Sequence, residues 1–591
     1  MSEMAGPAAA ATMVDVLIWH ANHRPDRRAF VFLERGEREA GSLTYGELDR
    51  RARVIARALL DNGLSGRRII LAYPTCLEFV AALFSCFYAR AIAIPAPIDR
   101  QDGAAARLHA ILTDADAAAV LSLRSVLSHA AAPAGETGGL SIADTLCLAT
   151  DELMNASDSM PLEPIEPDAV ALLQYTSGST GNPRGVILTH GNLIANQQAL
   201  SAVLASSVSD IGVNWLPLYH DMGLIGGVLH TVYFGGLTAL MPPLAFVQKP
   251  IRWLRAIHRY RASISMAPSF AYGLVSRYGP AGNEESLDLS SWRVAICGGE
   301  PIRAQLLEHF ATTFRPMGFD PKALMPAYGL AEATLIVAAS PAGTGLIVQD
   351  PAQVSPVGSG ARRESWGRRA ACCGPAVSGQ RVTIVNPASL SPIAAGHAGE
   401  IWLQGPSVAA GYWNRPEETR VTFQARLLDG ADSGPWLRTG DLGIMSEDGL
   451  VVTGRAKEII VIRGANFDPL DMETAVCQSD AVFQPGGGAA FSLEHEDGAV
   501  VVLVHEVKRE AARNMDVNLV ASKVTDVMNR YFGLKLYDLV LLRPRTLPRT
   551  TSGKIQRYLC KEQYLANELA ALGTIEHLGL GRCRAQAQPS A

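Results

Sequence analysis

Apolar residues recur along this chain at two spacings, and the alternation between them outlines the elements. Residues 13–21 carry apolar side chains at helical spacing and predict a helix behind an alanine-rich start. Thr44 and Glu47 stand three apart just ahead of the amphipathic stretch 48–60, the arrangement in which a hydroxyl and a carboxylate cap a first helical turn reciprocally. Residues 68–73 and 91–95 are short apolar runs that predict buried strands, with a helix over 76–89 between them. Further strands are expected at 118–122, 263–267 and 294–297, each flanked by helical pattern. Short β-branched strands alternating with helices predict an α/β fold whose parallel sheets are covered on both faces.

The pattern breaks twice. Residues 340–375 are rich in Gly, Pro, Ser and Arg without a period, which predicts an inserted loop or surface module. Over 438–454 a strand, a turn at Glu447-Asp448-Gly449 and a second strand precede a section with its own αβ pattern. A boundary is therefore expected near residue 456, dividing a body of 1–456 from a C-terminal domain of 457–591. That domain would hold about 110 ordered residues, with a loose tail from about 572.

Composition narrows the class. Apolar residues make up 48% of the 591, enough for a sizeable core, and wholesale disorder is excluded. Lys and Arg total 52 against 57 Asp and Glu, a net charge of −5, without the basic excess of a nucleic-acid or anionic-membrane binder. The nine cysteines are scattered and form no CxxC pair, so neither a zinc ribbon nor a disulfide scaffold is expected. The start carries Glu3 and no basic region, so no secretory signal is expected. The longest strongly apolar run, 79–89, ends at Arg90 and is too short to span a bilayer. These features predict a soluble protein of a reducing compartment, the cytoplasm.

Four segments carry candidate chemistry. Tyr175-Thr176-Ser177-Gly178-Ser179-Thr180-Gly181-Asn182-Pro183-Arg184-Gly185 combines hydroxyls, glycines and a cation, a donor-rich concavity suited to triphosphate oxygens. It lacks the Gly-Lys-[Ser/Thr] of a Walker A loop, and a strand follows it instead of a helix. A flexible Ser/Gly turn is the plainer alternative. Tyr328-Gly329-Leu330-Ala331-Glu332 offers an aromatic face that can stack a purine and a carboxylate that can hold Mg²⁺. Trp436-Leu437-Arg438-Thr439-Gly440-Asp441 places one carboxylate where it can chelate vicinal ribose hydroxyls. Thr550-Thr551-Ser552-Gly553-Lys554 puts a lysine on a turn near the C-terminus, able to neutralise charge developing at a phosphate. Taken singly, each has a plain reading as core tyrosine, turn aspartate or solvated lysine.

Together, in this order and at these separations, the segments resemble the adenylate-forming superfamily of acyl-CoA synthetases, luciferases and peptide-synthetase adenylation domains, over about 15–565. The resemblance implies a large N-terminal body of several subdomains, a small mobile α+β C-terminal domain, and ATP-dependent reaction through an acyl adenylate. It implies a phosphate loop at Thr176, Ser177, Gly178, Ser179, Thr180 and Gly181, with Arg184, Gly299, Glu300 and Gly329 also at the nucleotide. It implies Tyr328 on the adenine, Glu332 on Mg²⁺, Asp441 and Arg455 on the ribose, Lys554 as the catalytic lysine and Lys457 as the domain hinge. Within the superfamily, Trp215-Leu216-Pro217-Leu218-Tyr219-His220-Asp221-Met222-Gly223-Leu224-Ile225-Gly226 is similar to the fatty acyl-AMP ligases, as is Ala331 ahead of Glu332. That branch implies an acyl pocket at Trp215, His220, Asp221, Met222 and Gly226, and transfer of a fatty acyl group to the phosphopantetheine thiol of a separate acyl carrier protein, as in polyketide or nonribosomal peptide synthesis. It also implies an insertion at about 345–371 that disfavours the use of CoA.

Some residues depart from that pattern. Arg184 stands where a lysine is usual, and Ala465, Phe467 and Asp468 differ from the branch's usual arginine and paired tyrosines. His220 reads either as a polar group beside the acyl pocket or as a structural histidine. Two rivals to the ligase reading remain: an acyl-CoA synthetase using free CoA, and a catalytically silent adenylate-fold binding module.

Overall fold

The computed structural model describes residues 9–98, 104–130, 145–153, 163–176, 183–278, 287–349, 369–428, 434–462, 465–495, 498–513, 515–549 and 555–576. The predicted N-terminal helices form where their caps place them. Thr12 caps Met13–His23 and Thr44 caps Tyr45–Asp61, and each N-cap backbone N–H donates back to the carboxylate three residues on, Asp15 and Glu47. The helix expected over 76–89 is Leu77–Tyr88, and Val294–Cys297 is a strand as predicted.

The predicted strands enter two large sheets. In one, Ile211–Asn214, Leu237–Leu240, Arg28–Glu34, Ile264–Ala267, Val294–Cys297 and Leu324–Gly329 run parallel, with Arg38–Thr44 and Ile336–Ala339 antiparallel at the two edges. In the other, Val170–Thr176, Ile92–Pro95, Arg68–Leu71, Ala119–Ser122 and Leu146–Ala149 are parallel, and Arg184–Thr189 and Gly411–Tyr412 extend it antiparallel. Alternate residues of these strands feed different apolar clusters. Ile69 and Leu71 face one cluster and Ile70 and Ala72 another, as do Phe30 and Val31 in the first sheet. Both faces are therefore buried, which is why the runs read as continuously apolar.

Arg381–Val385, Gly399–Gln404, Leu437–Ser446 and Gly449–Arg455 form a smaller antiparallel sheet. After the single turn Ala456–Glu458, the strands Phe483–His495, Gly498–Val507, Leu536–Leu542 and Ala571–Glu576 make a last mixed sheet. Its buried clusters draw on residues from Ile460 onward and those of the large sheets on residues up to Leu450.

One expectation is corrected. The tail expected to be loose from about 572 begins as the strand Ala571–Glu576, paired antiparallel with Leu536–Leu542. A six-residue stretch with one glycine is a weak strand signal alone, and the unpaired edge of its neighbour supplies the ladder. Of the expected insertion, residues 350–368 lie outside the described residues. Its two ends meet, because Val348–Gln349 pairs antiparallel with Ala370–Ala371.

Candidate active site

The site is assembled where strands of the two large sheets and the small antiparallel sheet end. Val170–Thr176 and Arg184–Thr189 are antiparallel neighbours in which Thr176 is paired with Arg184, so both flanks of the Ser/Gly loop are fixed. Ser177, Gly178, Ser179, Thr180 and Gly181 lie outside the described residues. The flank is braced by Tyr175, whose hydroxyl donates to Asp114 Oδ2 at 2.7 Å, and Arg415 Nη2 holds the other oxygen of Asp114 at 2.7 Å. Gly185 packs closely on the flank, since a Cβ there would lie 3.0 Å from the Tyr175 ring. Arg184 Nε pairs with Glu418 Oε2 at 3.0 Å, and its guanidinium sits 5.6 Å from the centre of the Tyr412 ring.

The strand Leu324–Gly329 delivers Tyr328 and Gly329 to its end, and the single turn Ala331–Ala333 that follows presents Glu332. Gly329 tolerates no side chain, because a Cβ would fall 1.8 Å from the Leu335 carbonyl oxygen. The Tyr328 hydroxyl donates to Asp441 Oδ2 at 2.7 Å, and Arg455 Nε reaches Asp441 Oδ1 at 2.9 Å. Asp441 and Arg455 are direct cross-strand partners in the hairpin, and Asp441 is buried. Burial and the neighbouring Asp441 carboxylate push the Tyr328 phenol well up, so it acts as a hydroxyl donor. Asp441 in turn raises the Arg455 guanidinium, which stays charged.

Glu332 accepts the Tyr412 hydroxyl at Oε1, 2.8 Å. Burial pushes its carboxyl above the ordinary carboxylate range, and that hydrogen bond pulls it back. Among the described residues no group of three or more His, Cys, Asp or Glu is placed to hold a metal ion. A single carboxylate oxygen donor is what Mg²⁺ uses when water and substrate phosphates complete its shell, so Glu332 fits that ion.

The other expected residues are more dispersed. Gly299 has φ +76 and lies beside Met222, 3.5 Å from where its Cβ would be. Glu300 is engaged structurally: its Oε1 accepts Phe270 N–H at 2.8 Å and Ser269 Oγ at 2.9 Å, at the start of the helix Ser269–Ser276. Lys457 is exposed on the turn between the two groups of clusters. Lys554 lies outside the described residues, although Arg549 and Ile555 on either side of it are bridged. Of the expected acyl-pocket residues, Gly226 borders a small cavity together with Met266, Gly227 and His230. Trp215 stacks on Phe246 at 3.9 Å within a core cluster, and His220 Nδ1 contacts Asp221 Oδ1 at 2.6 Å. Met222 opens the π-helical segment Met222–Leu229.

Sequence reasoning missed Tyr412, Asp114, Arg415 and Glu418. None of the four lies in a segment whose composition suggests phosphate or metal chemistry; the packing of Gly411–Tyr412 onto Arg184–Thr189 brings Tyr412, Arg415 and Glu418 to the site, and Asp114 reaches it from the helix Ala104–Ala115.

The family model described as AMP-binding enzyme matches residues 17–413. The medium-chain-fatty-acid–[acyl-carrier-protein] ligase JamA of Moorena producens is 39% identical over 569 residues, covering 95% of this chain and 96% of that protein. A solved fatty acyl-adenylate ligase from L. pneumophila, in complex with acyl adenylate and pyrophosphate, superposes with a TM-score of 0.73 at 33% identity, covering 96% of this chain and 98% of that one. A second structure, from work on fatty acyl-adenylate ligases of E. coli and L. pneumophila, reaches 0.81 at 32% identity over 94% of this chain and 98% of that chain. On this fold, this site and these matches, the chain belongs to the AMP-binding enzymes and has their α/β adenylate-forming architecture.

Proposed function

We propose that this protein is a fatty acyl-AMP ligase, which activates a fatty acid with ATP and passes the acyl group to the phosphopantetheine thiol of a carrier protein on another chain. The observation that carries the reading is the convergence of Tyr328 and Arg455 on the buried Asp441, with Glu332 nearby and joined through Tyr412 to the flank of the phosphate loop. Such a site offers an aromatic face for adenine, a carboxylate for the ribose hydroxyls, and cations toward the phosphates.

In the first step a carboxylate oxygen of the fatty acid attacks the α-phosphorus of ATP, and pyrophosphate leaves with the electron pair of the broken P–O bond. The carboxylate is already a nucleophile, so no general base is needed, and the protein's task is alignment and charge neutralisation. Tyr328, Asp441 and Arg455 hold the adenosine. Thr176 and Thr180, with the loop between them, cradle the β and γ oxygens, Arg184 adds a cation there, and Lys554 neutralises charge at the α-phosphate. Glu332 would hold Mg²⁺, which supplies charge neutralisation on the phosphate oxygens. We assign the acyl chain to the side of the site where Gly226 borders a small cavity with Met266 and His230.

In the second step residues 457–591 turn about Lys457 and withdraw Lys554. The carrier thiolate then attacks the acyl carbonyl, and AMP leaves. The named activity of the JamA relative supports a carrier as acceptor. We place the reaction in the cytoplasm, in keeping with free thiols at all eight described cysteines.

The test supplies labelled fatty acid and ATP to the full chain, alone, with CoA, or with a holo carrier protein. Acyl-AMP alone, acyl–carrier with the carrier and little acyl-CoA are expected. Rapid acyl-CoA formation would replace this reading with a CoA synthetase, and no pyrophosphate in any arm would leave a silent binding module.

A further inference from the structure

Residues 409–413 tie two parts of the nucleotide site together. Ala409 N–H donates to the Glu332 carbonyl oxygen at 2.9 Å. One residue on, Ala410 N–H donates to the Ile187 carbonyl at 3.0 Å, and Trp413 N–H donates to that of Gly185 at 2.8 Å. This segment therefore spans from the turn that presents Glu332 to the strand that leaves the phosphate loop. Tyr412 sits inside the span with its ring fixed on several sides. Its N–H donates to Thr419 Oγ1 at 2.9 Å, and its ring meets Phe423 edge-on at 5.0 Å. Gly411, at φ +147, lets Thr419 come this close, since a Cβ there would lie 2.4 Å from Thr419 Cγ2. From this fixed ring the hydroxyl reaches Glu332 Oε1 at 2.8 Å, and the face carries Arg184.

We propose that Tyr412 is a positioning residue for the metal-bound nucleotide: its hydroxyl fixes the Glu332 carboxylate while its ring sets Arg184, so that carboxylate and cation keep one spacing across the polyphosphate. The inference rests on the reading of Glu332 as the carboxylate that holds Mg²⁺. A carboxylate with one oxygen tied to a rigid donor presents the other in a single orientation, and losing such an outer partner typically weakens metal binding about 10–100-fold. The ring alone cannot do this, so Tyr412→Phe separates the two roles. It removes the hydroxyl and keeps both the face under Arg184 and the contact with Phe423.

The experiment measures ATP binding by calorimetry across a Mg²⁺ titration and in EDTA, for the full-length wild type, Tyr412→Phe and Glu332→Gln, with a thermal melt of each without ligand. For Tyr412→Phe the Mg²⁺ concentration giving half-maximal enhancement of ATP affinity should rise about 10–100-fold. Its affinity for ATP in EDTA and its melting temperature should stay at wild-type values. An unchanged Mg²⁺ midpoint in Tyr412→Phe, alongside a lost Mg²⁺ response in Glu332→Gln, would overturn the role of Tyr412 alone. A wild-type Mg²⁺ response in both variants would overturn the metal reading of Glu332 and the inference with it. An equal loss of affinity in EDTA would assign the hydroxyl to the fold of the loop flank and likewise overturn the proposal.

Discussion

Replacing Lys554 with alanine is expected to lower acyl-adenylate formation by about 10²–10³-fold, equivalent to about 2.7–4 kcal/mol, with ATP affinity nearly unchanged. The expectation rests on what Lys554 is asked to supply, a positive charge at the α-phosphate that matters most as the pentacovalent arrangement forms. The described residues on either side of it are held in place. Arg549 and Ile555 are bridged, and Gln556 N–H donates to the Pro548 carbonyl at 2.9 Å. Arg549 Nη2 reaches the Gly486 carbonyl at 3.0 Å and Glu506 Oε2 at 3.2 Å, and the buried Glu506 also accepts Leu547 N–H at 2.9 Å. Single-turnover assay of acyl-AMP, with ATP binding measured separately by calorimetry, checks the split. Unchanged turnover would remove Lys554 from the chemistry, and a loss confined to ATP affinity would make it a ground-state binding group.

Asp441→Asn should have the next largest effect, and on a different quantity. The carboxylate accepts from Tyr328 and Arg455 and, in the proposed function, from both ribose hydroxyls. An amide has one acceptor oxygen and turns an N–H₂ toward one of these donors. Hydrogen bonds to a charged group are worth about 1.5–3 kcal/mol each, so ATP affinity should fall by about 10–100-fold. Stability should fall too, by about 1–3 kcal/mol, because Asp441 is buried and the buried Tyr328 hydroxyl loses its charged acceptor, whereas the contact with the 56% exposed Arg455 side chain is screened and adds little. A calorimetric titration with ATP and a thermal melt test both halves. A large fall in melting temperature with intact ATP affinity would make Asp441 a structural residue and not a ribose ligand.

These residues show which parts of the site a sequence can carry. The helix start at Thr44 follows from local capping chemistry, and the covered strands follow from their apolar runs, because both depend on neighbours a few positions away. The hairpin was legible from its turn and flanking strands, but its side-chain pairing was not. Counting outward from Ser446 opposite Gly449 sets Gly443 against Val452, and an unbroken ladder would then set Asp441 against Gly454. An irregularity between Leu442 and Gly443 shifts the register by one, so that Arg455 meets Asp441 instead of facing away. Nothing in the composition of the strands announces that shift. Tyr412 was hidden for a related reason: its role depends on a two-residue strand docking on a partner more than two hundred residues earlier in the chain. Glu300, placed at the nucleotide by the resemblance alone, has Oε1 accepting the Ser269 hydroxyl and the Phe270 N–H at the start of Ser269–Ser276, contacts that no local pattern announces.

The central claim is that a fatty carboxylate is joined reversibly to AMP in this site. Exchange of label from pyrophosphate into ATP tests it most directly, because only a reversible adenylation returns pyrophosphate to the triphosphate. With the full chain, ATP, Mg²⁺ and labelled pyrophosphate, label should enter ATP only when a fatty acid is present, and neither CoA nor carrier should be required. Absence of fatty-acid-dependent exchange, in protein that still binds ATP, would contradict the account.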